Sequence, residues 1–596
     1  MRKFFIGRVS GGYHRSMYDL NDEQWAVVTC PSPVLIHAAA GSGKTRCLTS
    51  KIRHLIDTEA ATPQSILAIT FTNKAAKEMR ERLKAHCPAV AEMQISTIHS
   101  MCVRIIRTFI RHTPLKNPFS IFDDSDQMAV IKTVMKARKM DGDPWEALAA
   151  ISRAKGEQVT DALKDDLKEV YEAYQAILLK NNACDFDDLL TYALACVEHE
   201  DCRKHYTGIW RHILVDEFQD TSTVHYNIVT SLYDPSVTKT MFVVGDENQS
   251  IYGWRQARPE NVQKFIDTYK ANVRNLTYNY RSASGIIGFA NGFLQFGEAM
   301  VAKSVTTGSV SVSQFYSHED EAAQIADILS RSANLEQVAI LYRVNARSLM
   351  FERAFAARRI PYKVVGDIPF YRRKVVKDLL AYCKAAANPA DLQSLCRAVN
   401  VPKRGFGEVR QERLMREGRG FLESEAEKDL KLKHFLDTLD TIRGRRPADA
   451  IQAVVDKTGY GSTLEKESDL SMLETFLEIA SSFPTVEELV LASTFLEEDS
   501  GKGVRLMTVH AAKGLEFDSV FVVGVEEGLW PHKMSTDDAE ERRLYFVAVS
   551  RAKLYLNVSY SKSRLLRGQP IVVQPSPLFI DSVKMLQHQH IFCQQP

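Results

Sequence analysis

The stretch Val34-Leu35-Ile36-His37-Ala38-Ala39-Ala40-Gly41-Ser42-Gly43-Lys44-Thr45-Arg46 decides the fold of this chain. Its apolar, β-rich start reads as a strand, its small residues let backbone N–H groups wrap a phosphate, and a helical pattern opens at Arg46. In such a loop Lys44 reaches the β- and γ-phosphates and the Thr45 hydroxyl meets Mg²⁺. The general pattern begins with Gly where this chain has Ala38. A chance Gly-Ser-Gly-Lys-Thr is the competing reading, and the strand–loop–helix context argues against it.

Outward from this loop, short apolar runs recur at Ile66–Phe71, His212–Val215, Met241–Val244, Val338–Arg343, Arg505–His510 and Ser519–Gly524, each followed by a turn and a helical pattern. That rhythm predicts an α/β protein whose parallel sheets are joined by crossover helices. The runs fall in two groups, interrupted at about 101–210 and 377–501. Within those interruptions Asp126–Lys139, Asp161–Leu179, Asp429–Arg443 and Asp469–Phe483 carry apolar residues at helical steps, so both read as helical insertions. A last strand-like run is Leu554–Ser559.

Leu214-Val215-Asp216-Glu217 puts two acids directly after a strand, where the C-terminal edge of a sheet presents them to the phosphate loop. Asp216 suits Mg²⁺ and Glu217 suits the attacking water. Alone the pair is ordinary surface charge; with Lys44 in the same chain it points to nucleoside triphosphate hydrolysis.

The 596 residues are 45% hydrophobic and 25% charged, enough for several cores, which excludes a disordered chain or a small stapled scaffold. The 76 Lys and Arg balance 74 Asp and Glu to a net charge of +2, so bulk charge names no partner. None of the ten cysteines forms a CxxC pair, and they read as reduced thiols of a cytoplasmic protein. No apolar run is long enough for a membrane span. The acid-free start with Arg2, Lys3, Arg8 and Arg15 is compatible with an organellar leader, and the plainer reading is a basic tail before Met17.

Longer motifs carry a resemblance. Thr70–Ala76, Ser96–His99, Asp185–Leu190, Asp216–Thr221, Val244–Arg255, Asn279–Ser282, Thr508–Phe517 and Glu541–Ala552 resemble, in order, the motifs of superfamily 1 DNA helicases of the UvrD/Rep/PcrA type. The resemblance implies two RecA-like P-loop motor domains, parallel sheets flanked by helices, each with a mainly helical inserted subdomain. The expected division is 1–104 with 208–275 for the first motor domain and 105–207 for its insertion. It continues with 276–377 and 503–581 for the second motor domain, 378–502 for a shortened second insertion, and 582–596 for a tail.

The resemblance implies ATP and Mg²⁺ as cofactors, with Thr45 and Asp216 on the metal and Glu217 on the water. ATP is expected against Ala38, Ala39, Ala40, Gly41, Ser42, Gly43, Lys44, Thr45 and Arg46, with Gln24 at the adenine edge, Tyr280 stacked on the base and Glu516 at the ribose. Gln249, Arg281 and Arg551 are expected at the γ-phosphate, the two arginines as fingers across the cleft between the motor domains.

Single-stranded DNA and single-strand/duplex junctions are the implied partners, besides repair or replication proteins, and no membrane is implied. The implied DNA track is Phe71, Thr72, Asn73, His99, Tyr252, Trp254, Arg255 and His510, aromatic faces for bases beside polar and cationic groups for phosphates. Arg372-Arg373-Lys374 and Arg404 are weaker phosphate candidates, since a charge run is more often a solvated face. Departures from the family pattern are Gln256 where Gly is usual, Ala39 for Gly and Ser550 for Thr.

The implied activity is an ATP-dependent 3′→5′ DNA helicase and single-strand translocase of repair or replication. One alternative is a translocase that strips proteins, or a motor subunit of a repair, plasmid, phage or defence complex. The others are a non-enzymatic nucleotide-gated binder and an RNA motor. Polarity rests on the resemblance alone.

Overall fold

A computed structural model of the chain describes residues 15–366, 373–464, 467–481, 483–490, 503–533, 535, 537–566 and 569–588. Arg2, Lys3 and Arg8 of the basic start, Arg372, Cys593 and most of the expected tail lie outside these residues. The chain divides into two compact units, one comprising the residues up to Gly308 with Asp537–Ser550, the other Ser309–Thr536 with the residues from Arg551 onward.

The first unit is built on a six-stranded, wholly parallel sheet in the order Gln94–Thr97, Ile66–Thr70, His212–Val215, Thr240–Gly245, Val34–Ala38, Asn272–Leu276. Its central strands are apolar without alternation because both faces are covered. Successive side chains serve different cores. Val34, Ile36, Leu214 and Val244 pack with Cys47, Leu48 and Ile52 of helix Lys44–Asp57, whereas Leu35, Ile213, Val215 and Val243 pack with Met101, Ile105 and Leu189 on the other face.

The first insertion contributes helices Asp124–Ala137, Pro144–Glu157 and Asp165–Lys180, which share a small core of Ile131, Val134, Ile151, Val170 and Tyr174. It also holds a two-residue parallel pair, Ser120–Ile121 with Ala183–Cys184, which hydropathy does not reveal. Helix Phe186–Glu198 follows, opened by a reciprocal cap between Asp185 and Asp188.

The second unit carries strands Ser309–Ser317, Ala552–Leu566, Phe517–Val522, Val338–Tyr342, Val504–Thr508 and Tyr362–Val365, in that order and parallel. Gln569–Val572 runs antiparallel against the end of Ala552–Leu566. Its insertion is helical, including Lys374–Ala387, Leu430–Ile442, Pro447–Thr458 and Glu467–Ser481 around one apolar core. Two RecA-like parallel sheets flanked by helices are thus present.

The unit edges depart from the expected domain edges. Residues 276–308, and the helix Asp538–Val549 that carries most of the last motif, group with the first sheet. The nine cysteines among the described residues are all free thiols. Among the described residues no helix is long and apolar enough to cross a membrane.

Candidate nucleotide and DNA site

The phosphate loop leaves strand Val34–Ala38 and enters helix Lys44–Asp57 through two left-handed glycines, Gly41 at φ 68° and Gly43 at φ 90°. Both are also closely approached. A Cβ on Gly41 would meet the Asn279 Nδ2 at 2.7 Å and the Arg281 Cβ at 2.9 Å, and one on Gly43 would meet the Gln24 Nε2 at 2.9 Å. Only glycine supplies the backbone turn and the space together.

The loop is pinned from both sides. Gln24 donates to the Ser42 carbonyl at 3.0 Å while its Oε1 accepts the Asn21 N–H, so the amide expected at an adenine edge is engaged by the loop itself. Buried Asn279 donates to the Ala40 carbonyl at 2.6 Å, its Oδ1 accepts the N–H groups of Arg281 and Ser282 at 2.8 Å each, and the Tyr280 N–H reaches the Gly41 carbonyl. Arg281, expected in the second motor domain, therefore stands beside the phosphate loop in the first unit, and its Nη1 donates to the Ser550 carbonyl at 3.2 Å. The half-exposed Tyr280 accepts from the Asn21 amide, and Arg46 binds Asp19.

Lys44 points inward and lies 3.5 Å from the Asp246 carboxylate. Asp246 also accepts from the Gln249 amide, and its N–H donates to Gln219 Oε1 at 2.9 Å. Gln219 in turn donates to Glu217 at 2.6 Å. One buried network thus links Lys44, Asp246, Gln249, Gln219 and Glu217. No local pattern assigns Asp246 or Gln219 a place here, because nothing in a sequence says which acid a lysine 202 residues away will meet.

Asp216 is buried at the end of its strand, and burial, with Glu217 beside it, pushes its carboxyl up to about 7 against the pull of Lys44. Glu217 has the left-handed φ of 52°, a conformation that costs a non-glycine residue about 1–2 kcal/mol. Among the described residues no group of three or more His, Cys, Asp or Glu forms a metal cage. The Asp216 carboxylate and the Thr45 hydroxyl offer hard oxygens of the kind that could hold Mg²⁺.

In the second unit Arg551 is buried, its Nη1 donating to the Leu515 carbonyl at 3.3 Å, and Glu516 pairs with Lys553 at 3.1 Å. His510 lies in the short helix Val509–Ala512, half-buried.

Of the expected DNA track, Phe71, Tyr252, Trp254 and Arg255 cluster in the first unit, whereas His510 belongs to the second. Phe71 and Tyr252 stack at 5.2 Å with their planes 14° apart, Trp254 stands edge-on to Tyr252 at 6.3 Å, and the Arg255 guanidinium lies 4.5 Å from the Trp254 ring centre. Trp254 is 64% exposed, too much for a core residue and suited to a stacking platform. His99 meets Phe186 and His225 edge-on; burial, then Arg255, lowers its pKa, which favours a neutral ring. Thr72 caps helix Asn73–Lys84 through the Ala75 N–H, and Asn73 is exposed. Of the weaker candidates, Arg404 is a correction: it is buried, donating to the carbonyls of Ala398, Val399 and Pro402 and to the Tyr382 hydroxyl, and has no reach to a phosphate. Lys374 is exposed and pairs with Asp378 at 3.5 Å.

Gln256, the departure from Gly, keeps the backbone Gly would adopt, with φ 64° and ψ 21°. Its side chain crosses to the insertion, donating to the Ser152 carbonyl at 2.9 Å over Gly156, where a Cβ would fall 1.4 Å from the Gln256 Oε1. Arg258 adds a 2.7 Å pair with Glu157. Gly156→Ala therefore displaces Gln256 and loses its bond, whereas in a Gln256→Gly background the alanine gains helix propensity. A double-mutant cycle by urea unfolding is expected to show about 1 kcal/mol of coupling, and additivity would show that the crossing contributes nothing.

The family model described as the UvrD/REP helicase N-terminal domain matches residues 20–270, and that of the UvrD-like helicase C-terminal domain matches 274–438 and 423–563. The chain is similar to the ATP-dependent DNA helicase PcrA of Staphylococcus aureus, 36% identical over 96% of this chain and 87% of that protein. It is likewise similar to PcrA of Staphylococcus epidermidis, 36% identical over 94% of this chain and 85% of that protein. Because the matched segments run almost without a break through both parallel sheets and their insertions, the chain belongs to the UvrD/Rep/PcrA family of superfamily 1 helicases.

Proposed function

We propose that the chain is an ATP- and Mg²⁺-dependent DNA helicase and single-strand translocase that moves 3′→5′ and serves DNA repair or replication in the cytoplasm, with partners among the proteins of those processes. The observation that carries this reading is continuity. Lys44 and Asp246 meet at the phosphate loop, and the same segment runs through Gln249 to Tyr252 and Trp254 of the stacking cluster. A displacement at the phosphate end is thereby felt at the bases within nine residues of chain, Asp246 to Trp254.

In this reading residues Ala38–Arg46 hold the phosphates by backbone N–H groups and Lys44. Thr45 and Asp216 would hold Mg²⁺, which supplies charge neutralisation. Glu217, oriented by Gln219, takes the proton of the attacking water, and Gln249, Arg281 and Arg551 stabilise charge on the γ-phosphoryl group. Gln24 and Tyr280 hold the base, and Glu516 the ribose. Phe71, Tyr252 and Trp254 stack bases, while Thr72, Asn73, His99, Arg255 and His510 contact the strand. Polarity is drawn from the motifs, and a DNA rather than an RNA track is supported by the PcrA relatives.

The test is unwinding of 3′-tailed against 5′-tailed duplexes with and without ATP, with hydrolysis measured on poly-dT and poly-U. ATP-dependent unwinding of the 3′-tailed duplex and preferential stimulation by poly-dT are expected. Strong single-strand-stimulated hydrolysis without strand separation would replace the helicase reading by the translocase one. Unwinding of only the 5′-tailed substrate would overturn the polarity.

A further inference from the structure

Helix Asp538–Val549, grouped with the first sheet, touches the segment between Gln249 and Trp254 at two points. Arg543 Nε donates to the Ser250 carbonyl at 2.8 Å in a buried contact, and its Nη1 reaches Gln295 Oε1 at 3.4 Å. Gln295 donates back to the Ala539 carbonyl at 2.9 Å, and Asp537 lies 3.4 Å from Arg543 Nη2. The second point is Glu540, whose Oε1 accepts the Gly253 N–H at 3.3 Å. A Cβ on Gly253 would fall 2.1 Å from Glu540 Oε2, so the carboxylate comes this close only because position 253 has no side chain.

The two contacts bracket a short piece of chain. Ser250 follows Gln249, whose amide is bound to Asp246 in the phosphate network, and Gly253 precedes Trp254 of the stacking turn. Both ends are thus referred to one rigid helix, whose C-terminal residue is two positions from Arg551 in the chain. The Phe71–Tyr252 stack and the Gln256 bond to Ser152 also steady this stretch, but they refer it to other elements. Glu540 ties the backbone of the turn to the same helix that holds Ser250.

We infer that Glu540 is a positioning residue that couples nucleotide state to base stacking, fixing the turn Gly253–Arg255 so that a shift at Gln249 becomes a shift of Trp254. The inference rests on the functional reading above. Coupling between two ligands is reciprocal and is measured as the factor by which one changes the affinity of the other.

The experiment uses the full chain, a fluorescently labelled oligo-dT and a non-hydrolysable ATP analogue, with oligo-dT affinity read by anisotropy with and without the analogue. In Glu540→Ala the factor by which the analogue changes oligo-dT affinity is expected to fall toward one by about fivefold or more. Analogue affinity without DNA is expected to stay within about twofold of the parent, and Glu540→Gln, which keeps an acceptor for the Gly253 N–H, to restore the coupling. Gly253→Ala, which retains Glu540 and drives it away, gives the same loss by an independent route.

An unchanged factor in both Glu540→Ala and Gly253→Ala overturns the inference. So does an equal loss of analogue affinity without DNA accompanied by a lower melting temperature, which would make Glu540 a brace only. A parent chain that binds no oligo-dT and hydrolyses no ATP would instead sink the functional reading, and is recognised before any variant is made.

Discussion

Glu217→Gln is expected to lower DNA-stimulated ATP hydrolysis by about 10³-fold while leaving ATP binding within a few-fold, as steady-state rates and analogue titrations would show. The amide keeps the size of the side chain and an oxygen for the Gln219 bond, so the network reaching Asp246 survives. The left-handed backbone at this position is as strained for Gln as for Glu. What is lost is the carboxylate proposed to accept a proton in the transition state. Lys44→Ala is expected to differ in kind: it removes the cation proposed to hold phosphate and leaves the buried Asp246 without that partner, so it raises KM for ATP as well as lowering kcat. Full activity of Glu217→Gln would show that another group takes the proton.

Lys155→Met is the substitution expected to cost most stability. Lys155 is 2% exposed and lies 2.6 Å from Asp185 and 2.8 Å from Asp188, with the Tyr174 hydroxyl also on Asp185 at 2.8 Å. Burial alone would lower the Lys155 pKa, and the two carboxylates more than reverse it, leaving it above 10.5. A cation whose folded pKa is raised contributes fully below its unfolded pKa and loses that contribution only as pH rises through the folded value, so the pair is at full strength at neutral pH.

Removing the lysine strands two carboxylates in the core of the first insertion, a loss of about 3–5 kcal/mol. In the variant those carboxyls bind protons more readily folded than unfolded. Its deficit should therefore shrink from pH 8 to pH 5, where calorimetry and urea midpoints can follow it. A deficit independent of pH would show that the methionine disturbs packing instead.

Strands buried on both faces announce themselves in this sequence, as at Ile66–Thr70 and His212–Val215. The edge strand Asn272–Leu276 does not, because its exposed Asn272, Val273 and Arg274 look like a loop. Ser309–Ser317 escapes for a related reason, since serine alternates with its few apolar residues along the outer edge of the second sheet. The phosphate loop was legible because glycine, lysine and threonine are each demanded by local geometry. Asn279, Gln219, Asp246 and Glu540 act by holding other residues across long sequence separations, and no local pattern marks that role. Gln24 is another such residue, its amide donating to the Ser42 carbonyl while its oxygen accepts the Asn21 N–H.

The contact between Lys44 and Asp246 has a kinetic meaning. A lysine already neutralised in the free protein exchanges one anion for another when phosphate arrives, so its net contribution to holding the ground state is smaller than that of a bare cation. When phosphate leaves, an anion is waiting to replace it. With Lys44 on phosphate as proposed, Asp246 would act as a displacing group built into the protein rather than drawn from solvent, and would shorten the residence time of spent nucleotide.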